Sequence, residues 1–211
     1  MRKKSEILEI MNIFQQEKPN PECELNFHNA YTLLVAVILS AQSTDKGVNK
    51  ATEELFKIVS TPQQMLNLGE EKLKSYIKTI GLFNNKAKNI ILMSRDLVDK
   101  FNGEVPSSRA ELESLAGVGR KTANVVLNVW FKKPTLAVDT HVMRISKRLD
   151  FSQGKSPLEI EKDLLRVLPN EYIINTNHWL VLFGRYVCKS QKPDCHNCLI
   201  SKYCYSKDKK N

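Results

Sequence analysis

Cysteine is nearly absent from most of this chain. Only Cys23 occurs before residue 188, and the other four fall between Cys188 and Cys204. Long apolar runs are missing too: the longest, around Tyr31 to Ala41, is too short to span a bilayer and reads as a buried helix. The opening Met1-Arg2-Lys3-Lys4-Ser5-Glu6 leads into the amphipathic positions Ile7, Ile10, Met11 and Phe14. It has neither the apolar core nor the small-residue cleavage site of a signal peptide. These absences set the expectation of a soluble, cytoplasmic chain with no membrane partner. Thiols there stay reduced, and clustered cysteines hold metal more often than they form disulfides. Cys23 is then an ordinary reduced thiol. Tandem repeats and low-complexity stretches are lacking apart from the tail Lys207-Asp208-Lys209-Lys210. So are Asn-Gly or Asp-Gly hairpin turns between alternating strands.

What is present is helical punctuation. Thr61-Pro62 and Ser156-Pro157 each set a capping hydroxyl before a proline suited to the first helical position. Glu159, three residues after Ser156, completes a capping-box pattern. Gly81 and Gly103 fall where helices should end. Leu73, Ile77 and Ile80, like Ile91, Met93, Leu97 and Val98, follow a helical rather than an alternating period. The fold class is therefore all-α, with Lys132-Lys133-Pro134 as the crossing between two helical lobes. Formal net charge is +9, from 32 Lys+Arg against 23 Asp+Glu. That excess points to a polyanionic partner, of which nucleic acid is the commonest. A merely basic solvated surface is the plainer reading.

The four late cysteines follow Cys188-x6-Cys195-x2-Cys198-x5-Cys204. Structural zinc sites usually combine two short knuckles. Here there is one, Cys195-x-x-Cys198, between two wider arms, and His196 inside it is poorly placed to ligate. Four thiolates in that spacing favour a 4Fe–4S cluster over zinc, with free cysteines a distant third. Lys189, Lys192 and Lys202 lie among the ligands, either offsetting the charge of an all-thiolate cluster or facing phosphates.

A second constellation occupies residues 112 to 131, "LESLAGVGRKTANVVLNVWF". Gly117-Val118-Gly119 separates a short helix from a longer one, whose inner positions are Ala123, Val126, Leu127 and Trp130. Such a turn permits close backbone approach, and the N–H groups opening the next helix suit a phosphate. A P-loop is excluded because Arg120 stands directly before the lysine where glycine is required. A dinucleotide fingerprint is excluded by Thr122 at the third glycine position. The plain alternative is a glycine turn between packed helices. Lys121 lies in the first turn of the second helix, on the unfavourable side of the dipole. That placement costs a structural lysine but favours an amine nucleophile, as does any partial burial. In "TLAVDTHVMRISKRL", Asp139 precedes a helix with an inner stripe of Val142, Ile145 and Leu149, and its plain role is N-cap. His141 is either a phosphate contact or an ordinary first-turn residue. Arg144, Lys147 and Arg148 form an outer charged face, either solvated or facing DNA.

The hairpin "LAGVGRKTANVVLN", the following "VDTH" and the x6, x2, x5 cysteine spacing together resemble the endonuclease III family of helix-hairpin-helix DNA glycosylases. "LLVAVILSAQSTDKGVNKAT" and "GLFNNKAKNI" are similar to it as well, so the likeness runs over nearly the whole chain. It implies a helical-barrel lobe over 22–133, with the hairpin at about 108–131. It implies a second lobe of 1–21 plus 134–211, with the cluster loop at 188–204, and an active-site cleft between the two. The nucleophilic lysine falls on Lys121, the catalytic aspartate on Asp139 and the cluster ligands on Cys188, Cys195, Cys198 and Cys204. Gln42 matches the residue that fills the gap left by a flipped base. Gly117, Gly119, Arg120, His141, Lys189 and Lys192 are the further DNA contacts expected. The implied partner is double-stranded DNA with damaged pyrimidines or abasic sites, met by a monomer. The implied reaction is base removal followed by β-elimination through a lysine Schiff base. Ala116 departs from the family, whose hairpin often carries proline there. The alternatives are an adenine-type monofunctional glycosylase, which lacks the lysine, a non-catalytic hairpin module and a zinc-stabilised scaffold.

Overall fold

The structure, a computed structural model, describes residues 2–209. Twelve α-helices and one 3-10 turn make up its regular structure, with no strand among the described residues. In chain order they are α1 (Lys4–Glu17), α2 (Ala30–Ser40), α3 (Asp45–Thr52), α4 (Leu55–Ile58), α5 (Pro62–Leu68) and α6 (Glu70–Ile77). There follow α7 (Phe83–Phe101), α8 (Arg109–Glu113), α9 (Arg120–Val129), α10 (Thr140–Arg148), α11 (Pro157–Val167) and α12 (Asn170–Tyr186). The chain divides into two compact units, Cys23–Lys133 and the pair Met1–Glu22 with Pro134–Asn211.

The first unit is built around α2. Every residue from Tyr31 to Leu39 is buried, so this helix is apolar all round and must be surrounded. Helices α3, α7 and α9 pack on it. Asn29 starts it through a reciprocal capping box with Thr32. A buried hydrogen bond of 2.6 Å joins Tyr31 Oη to Ser94 Oγ of α7. Helix α5 begins as expected, with Thr61 capping, Pro62 in the first turn and Gln64 closing the box. The expected helix end at Gly81 lies instead in the turn between α6 and α7, because α6 stops at Ile77. Asn102 and Gly103 both take left-handed backbone after α7, and the Gly103 N–H returns to the Leu97 carbonyl at 2.8 Å.

The second unit is cored by Ile7, Ile10, Met11 and Phe14 of α1 with Val142, Ile145, Ile160, Leu164, Trp179 and Leu180. Cys188 and Cys198 pack against the same core. Arg2 is buried there, its Nε donating to the Leu149 carbonyl at 2.7 Å and its Nη2 to that of Tyr203. Helix α11 opens at Ser156, which accepts from the Glu159 N–H. The Glu159 carboxylate accepts from Lys155 N–H at 2.7 Å, and this bond is the main reason its carboxyl sits below the usual range.

Candidate active site

The hairpin consists of α8, a six-residue turn and α9. Leu112, Leu115 and Val118 are buried beneath it, along with Ala123, Val126 and Leu127 of α9. The Val118 N–H closes on the Leu115 carbonyl at 3.1 Å, with Gly117 at φ +76° in the third position of that turn. This is the type II pattern, which requires positive φ there. A side chain on Gly117 would meet the Asn89 Cβ at 2.9 Å, so glycine is needed for space as well. Gly119 differs. It takes extended backbone as the N-cap of α9, and a Cβ there would meet nothing within 4 Å. The turn therefore needs its first glycine, and the second leaves the helix entrance uncovered.

Lys121 is exposed in the first turn of α9, its amine in no hydrogen bond or ion pair among the described residues. The partial burial expected for it is not seen. Asp139 belongs to the other unit and is half-buried at the N-cap of α10. Its Oδ1 accepts the Val142 N–H at 2.8 Å, so the capping role is real. The second oxygen makes no hydrogen bond among the described residues.

His141 is fixed from behind. Arg144 Nη2 lies 3.2 Å from His141 Nδ1 and donates to the Gly184 carbonyl at 2.8 Å. A guanidinium only donates, so Nδ1 accepts and the ring proton sits on Nε2. A Cβ on Gly184 would meet His141 Cβ at 2.9 Å. The outer charged face expected of Arg144 and Arg148 is in fact turned onto the cysteine loop. Both reach the Cys188 carbonyl, and Arg148 Nη1 also lies 3.3 Å from Cys188 Sγ. Their long side chains bridge α10 to a loop with few helical hydrogen bonds of its own.

All four late cysteines line one recess, together with Arg148, Ile200 and Lys209. Burial pushes the Cys188 and Cys198 thiols up, opposed at Cys188 by the Arg148 hydrogen bond and at Cys198 by one to the backbone of Ile200. Among the described residues, no three His, Cys, Asp or Glu side chains converge closely enough to hold a single ion. Four thiols around one shared recess are a donor set that fits a 4Fe–4S cluster. Lys189 and Lys192 are exposed on the same loop, Lys192 with left-handed backbone.

Gln42 lies just beyond α2, exposed, at φ +56°. Leu82, which the sequence pattern did not single out, has the same character: φ +59° and 60% exposed. The two turns are neighbours, since a Cβ on Gly81 would sit 3.9 Å from the Gln42 carbonyl. Bulky residues held in left-handed conformation at a surface are uncommon and cluster at functional sites. A leucine off the helical period after a glycine was the available signal for Leu82.

Comparison with known proteins fits this geometry. The sequence pattern of the HhH-GPD superfamily base excision DNA repair proteins matches residues 35–170. The chain is 55% identical over 206 residues to endonuclease III of Haemophilus influenzae, covering 98% of each chain. It superposes on a non-covalent endonuclease III–DNA complex with TM-score 0.92 and 46% identity, covering 97% of this chain and 96% of the other. A trapped endonuclease III–DNA covalent intermediate gives TM-score 0.91 at 46% identity, with 97% of each chain covered. No helix among the described residues is long and apolar enough to cross a membrane. Hairpin, helix-capping aspartate and four-cysteine recess thus occur in one helical chain that belongs to the endonuclease III family, within the HhH-GPD superfamily of base excision DNA repair proteins.

Proposed function

We propose a division of labour among the residues of this endonuclease III family member in its base excision repair reaction, a DNA glycosylase step followed by an abasic-site lyase step. The substrate is double-stranded DNA carrying an oxidised pyrimidine or an abasic site, met by a monomer in the bacterial cytoplasm. The damaged nucleotide turns out of the stack, and Gln42 occupies the vacancy. Leu82 beside it offers an apolar side chain to the opened base step. The Lys121 amine attacks the sugar carbon bearing the base, and the base departs. Opening of the sugar ring gives a Schiff base on Lys121, and β-elimination then breaks the strand on its 3′ side. Asp139, with one oxygen committed to the α10 cap, uses the other to steer a proton or to stabilise positive charge developing on the sugar. Gly117, Gly119 and Arg120 hold phosphate through the hairpin, and His141 does so through its Nε2–H. Lys189 and Lys192 serve the same purpose on the cysteine loop. Cys188, Cys195, Cys198 and Cys204 hold a 4Fe–4S cluster that shapes this loop, since neither chemical step changes oxidation state.

The observation that carries the lyase assignment is Lys121 itself. An exposed amine with no side-chain partner in the first turn after the hairpin supports a nucleophile there, which a monofunctional glycosylase or a mere binding module would not need. Borohydride reduction during turnover on DNA with a damaged pyrimidine should yield a covalent protein–DNA adduct. Lys121→Ala should abolish both adduct and strand cleavage while retaining DNA binding. An adduct persisting in that variant would identify a different amine as the nucleophile.

A further inference from the structure

Lys86, on the first full turn of α7, is 6% exposed, yet no carboxylate pairs with it among the described residues. Its ammonium donates to the Leu39 carbonyl at 2.9 Å and the Ala41 carbonyl at 2.6 Å, and Ser43 Oγ lies at 3.4 Å. These three acceptors bracket Gln42. The last carbonyls of α2 can be accounted for one by one. Val37 receives the Ser40 hydroxyl, Ile38 the Ala41 N–H and Ser40 the Ser43 N–H, which leaves Leu39 and Ala41 to Lys86. Helix α2 has no basic residue in its own last turn, so the cation its dipole favours comes from another helix.

A plain helix cap would not require this. The α2 end reaches the surface at Ala41 and Gln42, where water could satisfy a carbonyl at little cost. Burying an ammonium without a counter-charge is costly, and burial does lower the Lys86 pKa. What that cost secures is a fixed left-handed turn. The second exposed left-handed tip, Leu82, lies one helical turn before Lys86, whose backbone N–H makes the first hydrogen bond of α7 to the Leu82 carbonyl at 3.1 Å.

We infer that Lys86 is a positioning residue for base flipping: it holds the Ala41–Ser43 turn so that Gln42 is presented ready to fill the vacated stack. This rests on the reading of Gln42 given above. Order prepaid in the free protein lowers the cost of opening the base pair, and it brings no benefit at a site with no base to unstack.

The test uses the full chain with its iron content verified. Lys86→Met keeps the stem and removes the donors, and Lys86→Arg restores a cation. Single-turnover excision of an oxidised pyrimidine should fall roughly tenfold in Lys86→Met, the loss expected when hydrogen bonds from a charged donor are removed. Cleavage at a ready-made abasic site should fall much less, Lys86→Arg should recover part of the loss, and amide exchange across residues 41–43 should quicken. Combined with Gln42→Ala, Lys86→Met should add little, since the two act as one unit. Equal losses on both substrates would overturn the inference. So would unchanged excision in Lys86→Met alongside slowed excision in Gln42→Ala, an outcome that leaves the Gln42 reading standing. If Gln42→Ala itself leaves excision intact, the reading of Gln42 fails and the positioning role falls with it. Should Lys86→Met not fold, Lys86→Gln, which removes the charge but keeps an amide donor, takes its place: a smaller loss confined to excision, with cleavage of a ready-made abasic site intact, supports the inference, and equal losses on both substrates overturn it.

Discussion

At the scale of single residues, Asp139 allows structure and chemistry to be separated. Asparagine caps helices as well as aspartate does, so Asp139→Asn should change stability by less than about 0.5 kcal/mol, whereas Asp139→Ala should cost about 1 kcal/mol. If the carboxylate also handles a proton, Asp139→Asn should slow excision by about 100-fold or more while thermal melting stays put. Unchanged excision would leave Asp139 with its cap role alone. Gln42→Ala should slow excision more than it slows cleavage of a ready-made abasic site, and equal losses would make Gln42 ordinary helix-end structure. These residues were legible to different degrees. The N-cap at Asp139 could be read from local chemistry, and its exposure to catalysis only from likeness to a family. Lys86 and Leu82 left little local trace. The buried lysine looks like any helical lysine until its acceptors, more than forty positions earlier in the chain, are brought to it.

At the scale of elements, the hairpin shows why glycines two apart are not equivalent. Gly117→Ala meets both positive φ and the Asn89 side chain, and should cost about 1–3 kcal/mol, enough to lower the melting temperature measurably. Gly119→Ala meets neither obstacle and should fold within about 0.5 kcal/mol of the parent, yet it adds a methyl group where phosphate is proposed to approach. Calorimetry should therefore separate the two variants while DNA binding weakens in both, and a Gly119→Ala protein with full affinity would remove its phosphate contact from this turn. Ala116 occupies the second position of the type II turn, which proline favours. Its N–H takes no part in the turn's backbone hydrogen bonds, so Ala116→Pro should stabilise the chain by about 0.4–1 kcal/mol. Helix starts such as Thr61-Pro62 were readable because the capping chemistry is local. The end of α6 was not, because Ile77 and the turn at Gly81 are decided by packing against α3, α5 and α7 rather than by glycine.

At the scale of the molecule, the basic excess and the cysteine recess meet in one loop. Cysteine number and spacing were legible in the sequence. The recess, and the turning of Arg144 and Arg148 onto it, were not, because both depend on α10 packing against α12. Protein prepared without oxygen damage should be yellow-brown with about four irons per chain, as four thiolates around a cuboidal cluster require. Cys198 packs against the core of its unit, so Cys198→Ser should lose iron, lower the stability of that unit and weaken DNA binding together. Stoichiometric zinc with no iron absorption would overturn this assignment. Lys192 separates the two roles of the loop. It is exposed, holds no cysteine in place and lies between the first two ligands. If it meets a phosphate, Lys192→Ala should weaken binding to any DNA sequence and flatten the plot of log affinity against log salt by about one unit, because one contact fewer releases about one counterion fewer. Iron content should not change. A slope equal to that of the parent protein would mean that the positive charge of this loop faces solvent, and that phosphate recognition lies elsewhere in the chain.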